Sequence, residues 1–177
     1  MACSHSPRVL AIAPGAQHLG LAILEGEELL WFGIRSFAGR KTERDLVTRA
    51  ARYLNEVVAA HRPDILAVEE PFYAQTRLST PIRALTQWLK RWGKREGFRV
   101  LAYLPTTVKE QLLTGKKTRT ELAQAMIDRY WFLYHYRKPG RTRRYWQHMF
   151  NAIALGVAAA TDAERGQKLG RSRCSDS

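Results

Sequence analysis

The chain has 177 residues, 45% of them hydrophobic, and carries 29 Lys and Arg against 16 Asp and Glu, a net charge of +13. That length and apolar content suit one globular domain with a real core and exclude a disordered chain. A charge this positive on so small a domain costs self-repulsion, which a polyanionic partner relieves; a merely soluble basic surface is the plain alternative.

The two cysteines, Cys3 and Cys174, stand in polar surroundings at opposite ends. They suggest neither a disulfide framework nor a metal spacing, so a cytoplasmic setting is expected. Met1 to Pro7 has no apolar stretch of the secretory kind. No apolar run approaches the roughly 18 residues of a membrane span, and the longest, Ala152 to Ala160, is interrupted by Gly156. No membrane partner is expected.

In chain order, residues 1–7 form a polar arm, expected to be disordered. Arg8 to Ala13 is a continuous apolar run closed by Pro14-Gly15, as suits a strand buried on both faces. Leu19 to Leu24 and Leu29 to Phe37 follow across short turns, which together suggest an antiparallel meander. Lys41 to His61 has helical spacing, with Leu46, Ala50, Leu54, Val57 and Val58 on one face. Asp64 to Glu70 is another buried strand. Thr80 as N-cap and Pro81 at the first helical position signal the next helix, whose apolar stripe is Ile82, Leu85, Leu89 and Trp92. Phe98 to Leu104 returns as a strand. Pro105 introduces a short helix to Leu113, and Thr118 opens another to about Tyr130. Trp131 to Arg144 is aromatic and basic without clear periodicity. Tyr145 to Ala163 is a final helix, and residues 164–177 are expected as a disordered tail. With no repeat and no linker, residues 8–163 read as one α/β domain with a mixed sheet.

Glu69 and Glu70 end an apolar strand just before Pro71, a place where a pair of acids marks a site more often than a buried structural carboxylate. Alternation sends the two to opposite faces, so only one can join a given cluster. His148 and Asn151 fall three apart on the last helix and share a face. Arg137, Lys138, Arg141, Arg143 and Arg144 interleave with Tyr134, Tyr136, Tyr145 and Trp146. Basic groups contact phosphate and rings contact bases or sugars, so the stretch reads as a nucleic-acid loop, with a solvated surface loop as the bland alternative.

Four segments carry a resemblance: VLAIAPGAQHLGLAIL (9–24), PDILAVEEPFYAQ (63–75), YLPTTVKEQLLTG (103–115) and HMFNAIALGVAAA (148–160). Their order and spacing resemble the RuvC-type Holliday-junction resolvases, metal-dependent endodeoxyribonucleases of RNase H-like fold. The resemblance spans Arg8 to Thr161 and implies a mixed five-stranded sheet flanked by helices. It also implies a homodimer acting on branched DNA such as four-way junctions. In that family carboxylates on the first and fourth strands, with two acidic or His groups on the last helix, hold two Mg²⁺ ions that stabilise the attacking and leaving oxygens.

The matched positions here are Ala13, Glu69, His148 and Asn151. Ala13 stands where the family has Asp, and Asn151 stands where it ordinarily has Asp. Glu69, His148 and Asn151 are thus the candidate metal ligands for Mg²⁺ or Mn²⁺, with a single anion among them, and phosphodiester hydrolysis is expected to be impaired. Two alternatives stand beside this: an inactive paralogue that recognises nucleic-acid structure without a metal, and an active nuclease with an altered site at Glu69 and His148. Phe72 and Tyr73 match the family's base-inserting aromatic. Lys109 matches a lysine near the scissile phosphate, and Lys116, Lys117 and Arg119 resemble a second basic site, whose usual lysine aligns near Thr120. Trp88 and Trp92 depart from the small residues that typically line the dimer helix.

Overall fold

Five strands, β1 (Arg8–Pro14), β2 (His18–Glu25), β3 (Glu28–Ser36), β4 (Ile65–Glu69) and β5 (Arg99–Tyr103), pair in the order β3-β2-β1-β4-β5. The first three form the expected antiparallel meander, while β4 pairs parallel to β1 and β5 parallel to β4, so the sheet is mixed. The computed structural model describes residues 6–15, 17–37, 39, 42–70, 80–115, 117–137 and 141–174. Helices α1 (Glu43–His61) and α2 (Thr80–Arg95) supply the crossovers that parallel pairing requires, and α3 (Pro105–Leu112), α4 (Arg119–Arg129) and α5 (Arg141–Cys174) follow β5. A 3₁₀ helix, Trp131–Tyr136, links α4 to the last helix. Among the described residues no helix is long and apolar enough to cross a membrane.

Strand alternation divides the interior into two layers. Leu10, Ile12, Leu21, Ile23, Leu66 and Val68 point to the side covered by α1 and α2, where Leu46, Ala50, Leu54, Leu85, Leu89 and Trp92 meet them. Val9, Ala11, Ala13, Ala22 and Ala67 point to the other side, beneath α5. The large side chains therefore lie on one face and mostly small ones on the other, which lets α5 settle close to the strands. At Gly20 a Cβ would stand 1.9 Å from the His148 carbonyl oxygen, and at Gly156 one would stand 2.1 Å from Leu24 Cδ1. Neither approach leaves room for a side chain.

Several boundaries differ from the sequence expectation. The last helix starts at Arg141, not Tyr145, and continues through Cys174, so residues 164–174 are helical where a disordered tail was expected. No proline interrupts the segment, and Arg165 meets Asp162 at 3.9 Å, an i,i+3 pair that helical spacing supports. The aromatic stretch before it is not irregular either, since Trp131–Tyr136 winds into 3₁₀ turns. The tryptophans of α2 serve the interior: Trp92 is buried, stacks on Trp88 at 5.7 Å and meets Phe98 at 5.6 Å.

The tight seat of α5 sets a direct expectation. Gly20→Ala should cost about 1–3 kcal/mol as the helix is pushed off the sheet, read as a lowered urea midpoint at unchanged slope. An unaltered midpoint would contradict that packing.

Candidate active site

The register of the parallel pair places the site. Val9 to Ile12 align with Ile65 to Val68, and one further step sets Ala13 beside Glu69 at the carboxyl ends of β1 and β4. Glu69 shares the side of Ile65 and Ala67, beneath α5, whereas Glu70 turns to the opposite side. The partners agree: Lys90 of α2 binds Glu70 Oε1 at 2.6 Å, and Asn151 of α5 reaches Glu69. Only one of the two acids enters the cluster, as alternation requires.

Glu69 lies at the floor of a cavity of about 70 Å³, with Val108, Leu122 and Leu155 as apolar walls and Lys109, Arg119 and Asn151 as polar ones. Lys109 comes from α3. Arg119 is the first residue of α4, fixed by a capping box in which Thr118 Oγ accepts from the Glu121 amide and the Glu121 carboxylate accepts from the Thr118 amide. Burial pushes the Glu69 carboxyl up to about 7, against the smaller opposing effects of the Asn151 hydrogen bond and the Arg119 and Lys109 charges.

Asn151 acts here as a donor. Its Nδ2 lies 3.4 Å from both Glu69 oxygens, while its Oδ1 accepts from Gln147 Nε2 at 2.9 Å. Gln147 Nε2 also faces the Arg119 carbonyl at 3.5 Å. A carbonyl only accepts, so the amino group of Gln147 must face it, and the direction of the chain of amides is set from that end. The Asn151 oxygen, the atom that could bind a cation, is thereby turned away from Glu69.

His148, one turn earlier, packs elsewhere. A Cβ on Gly15 would stand 2.6 Å from its Nε2, and its ring lies 6.2 Å from that of His18. Burial first, then the His18 and Arg119 charges, hold its pKa below the usual histidine value. His18 bonds Ser36 Oγ at 2.8 Å and meets Tyr145 edge-on at 5.0 Å. Ala13 is fully buried. Among the described residues, no three His, Cys, Asp or Glu side chains gather as a metal-ligand group. A single half-buried carboxyl, an amide that presents its N–H groups and two adjacent cations do not fit a pair of Mg²⁺ ions.

The structure thus brings Glu69, Asn151, Lys109 and Arg119 together and sets His148 apart from them, against Gly15 and His18, one turn before Asn151 on α5. Lys117 is exposed on the turn before α4. Phe72, Tyr73 and Lys116 lie outside the described residues. Arg141, Arg143 and Arg144 occupy the first turn of α5, where the backbone alone is described. Gln147 and His18 escaped the sequence reading. Gln147 carried a usable signal, its i,i+4 spacing from Asn151; His18 carried none.

The comparisons with known proteins agree with the fold. No family model matches the chain. The crossover junction endodeoxyribonuclease RuvC of Koribacter versatilis (strain Ellin345) is 26% identical over 128 residues, covering 69% of this chain and 77% of that protein. The structure titled T. thermophilus RuvC in complex with Holliday junction substrate superposes with a TM-score of 0.71 at 25% identity, covering 90% of this chain and 96% of that one. The yeast mitochondrial Holliday junction resolvase Ydc2 shares the fold at a TM-score of 0.67 and 14% identity, over 97% of this chain and 84% of that one. The mixed five-stranded sheet with its helices is therefore the RNase H-like fold. In sequence and structure the chain is similar to RuvC-type Holliday-junction resolvases.

The raised Glu69 pKa gives a signed pH dependence. Unfolded, the carboxyl ionises near its ordinary 4.5; folded, it holds its proton to about 7. The stability this proton contributes is full below pH 4.5 and is lost as pH rises through 7. Glu69→Gln should therefore match wild type near pH 4 and exceed it by up to about 3 kcal/mol above pH 7, the linkage value of such a shift. Denaturant melts across that range measure the difference, and a pH-independent difference would refute it.

Proposed function

We propose that this protein binds branched DNA, four-way junctions above all, and does not cleave it by the two-metal route. The observation that carries the reading is the exchange at Glu69. Ala13 and Asn151 stand where the resemblance implies carboxylates, while Lys109 and Arg119 line the same cavity. Two divalent ions would add four positive charges beside two cations, opposed by a single carboxyl. The same cations suit a backbone phosphate without any metal, since Lys and Arg pair with phosphate oxygens directly. The net charge of +13 supports a polyanionic partner. So do the exposed Trp131 and Tyr134, at 78% and 63%, beside a basic helix start. A twofold assembly and a cytoplasmic setting belong to this reading as expectations of the resemblance.

A second reading, an active nuclease with an altered site at Glu69 and His148, is favoured by one observation. A carboxyl titrating near neutrality suits proton transfer at working pH. A synthetic four-way junction separates the two. Binding should persist in EDTA, and neither Mg²⁺ nor Mn²⁺ should produce nicks, whereas the Ala13→Asp, Asn151→Asp double variant should gain symmetric metal-dependent nicks. Nicks by the unaltered protein that vanish in Glu69→Gln would favour the second reading. Equal affinity for linear duplex and junction would remove the junction preference, and tighter binding to structured RNA would reassign the substrate.

Lys109→Ala and Arg119→Ala each should weaken junction binding and lower the salt slope by about 1. Affinity measured across a salt series gives that slope. An unchanged slope would mean that the cavity does not meet a phosphate.

A further inference from the structure

We propose that the groove between α4, the 3₁₀ helix and the start of α5 is a site for an unpaired nucleobase, taken from the strand whose phosphate reaches the Lys109–Arg119 cavity. The inference rests on the nucleic-acid reading above and adds a second, separate pocket to it. The groove holds about 540 Å³, within the ~300–1,000 Å³ of small-molecule sites. The cavity at Glu69, about 70 Å³, cannot admit a base.

The groove's chemistry selects the ligand. Tyr134, Tyr136 and Trp146 line it with rings, Arg137 adds a cation, and Gln124 and Gln147 add planar amides. No acidic side chain lines it among the described residues. Rings offer faces for stacking any base, amides can meet a base edge, and a guanidinium meets the phosphate. Two of the rings are already held in place: Tyr136 sits edge-on to Trp146 at 4.7 Å and to Phe32 at 5.5 Å. Tyr134 stands at the rim, 63% exposed, free to close over a bound base. The Trp146 indole N–H is shut from water and has no acceptor among the described residues.

Position ties the groove to the cavity. Arg119 faces the cavity and the next residue, Thr120, faces the groove, with Cα atoms ~3.8 Å apart. Gln147 lines the groove, and its amide leads through Asn151 to Glu69. A phosphate at Arg119 and a base at Thr120 and Gln147 are thus within the reach of one nucleotide. Base pairing hides these edges in a duplex, so the groove discriminates for unpaired bases, such as those splayed at a crossover.

The test compares a fully paired four-way junction with one carrying a single unpaired thymine at the crossover, using the whole chain in EDTA. The unpaired base should tighten binding, and Tyr134→Ala should cut that preference about five- to tenfold, the scale of one lost stacking contact. With 5-iodouracil at the unpaired position, photocrosslinks should map to residues 134–150. Tyr134 is exposed, so its loss leaves the fold intact. Binding of both junctions with no gain from the unpaired base, or crosslinks confined elsewhere, would overturn the groove site and leave junction binding standing. Failure to bind either junction would overturn both.

Discussion

The close seating of α5 on the small-residue face of the sheet is the contact on which the rest depends. Ala11, Ala13, Gly20 and Ala22 keep the strands low on that side, and Gly156 lets the helix touch Leu24. Asn151 is a short side chain that reaches Glu69 only because the helix lies so near. The same contact partly buries Glu69, which raises its pKa and makes the orientation of the neighbouring amides matter. Large side chains on this face, as on the α1–α2 side, would hold the helix off and open the site.

The electrostatic character of the site follows from what meets within that space. In a two-metal nuclease, carboxylates cluster because the ions repay their mutual repulsion. Here the described site carries a single acid, and the chain's own cations and an amide donor offset its burial. The fold places Glu69, Asn151, Lys109 and Arg119 around one cavity at the strand ends, a set of groups suited to holding an anionic backbone. Fold and function part at a few side chains.

Much of this was legible in the residues. The strands and helices followed from apolar runs, Pro and Gly punctuation and 3.6-residue spacing, and Glu69 was separated from Glu70 by alternation alone, as Lys90 and Asn151 bear out on opposite faces. The part that was not legible depends on how α4 and α5 pack. Arg119 read as one member of a surface cluster, but its capping box turns it into the Glu69 cavity. The ends of α5 also eluded the periodicity, because charged and aromatic residues form its first turn and its tail without an apolar stripe. The amide chain through Gln147 is a matter of donor direction, which spacing can suggest but not decide.

The central claim is that the Glu69 site has exchanged metal binding for direct contact with an anionic backbone. Titration with Mn²⁺, following the free ion by electron paramagnetic resonance, addresses it without reference to DNA or to cleavage. The account predicts that no Mn²⁺ is sequestered at stoichiometric protein near neutral pH, and that Glu69→Gln leaves the titration unchanged. Two Mn²⁺ ions bound per chain, and released by Glu69→Gln, would contradict it.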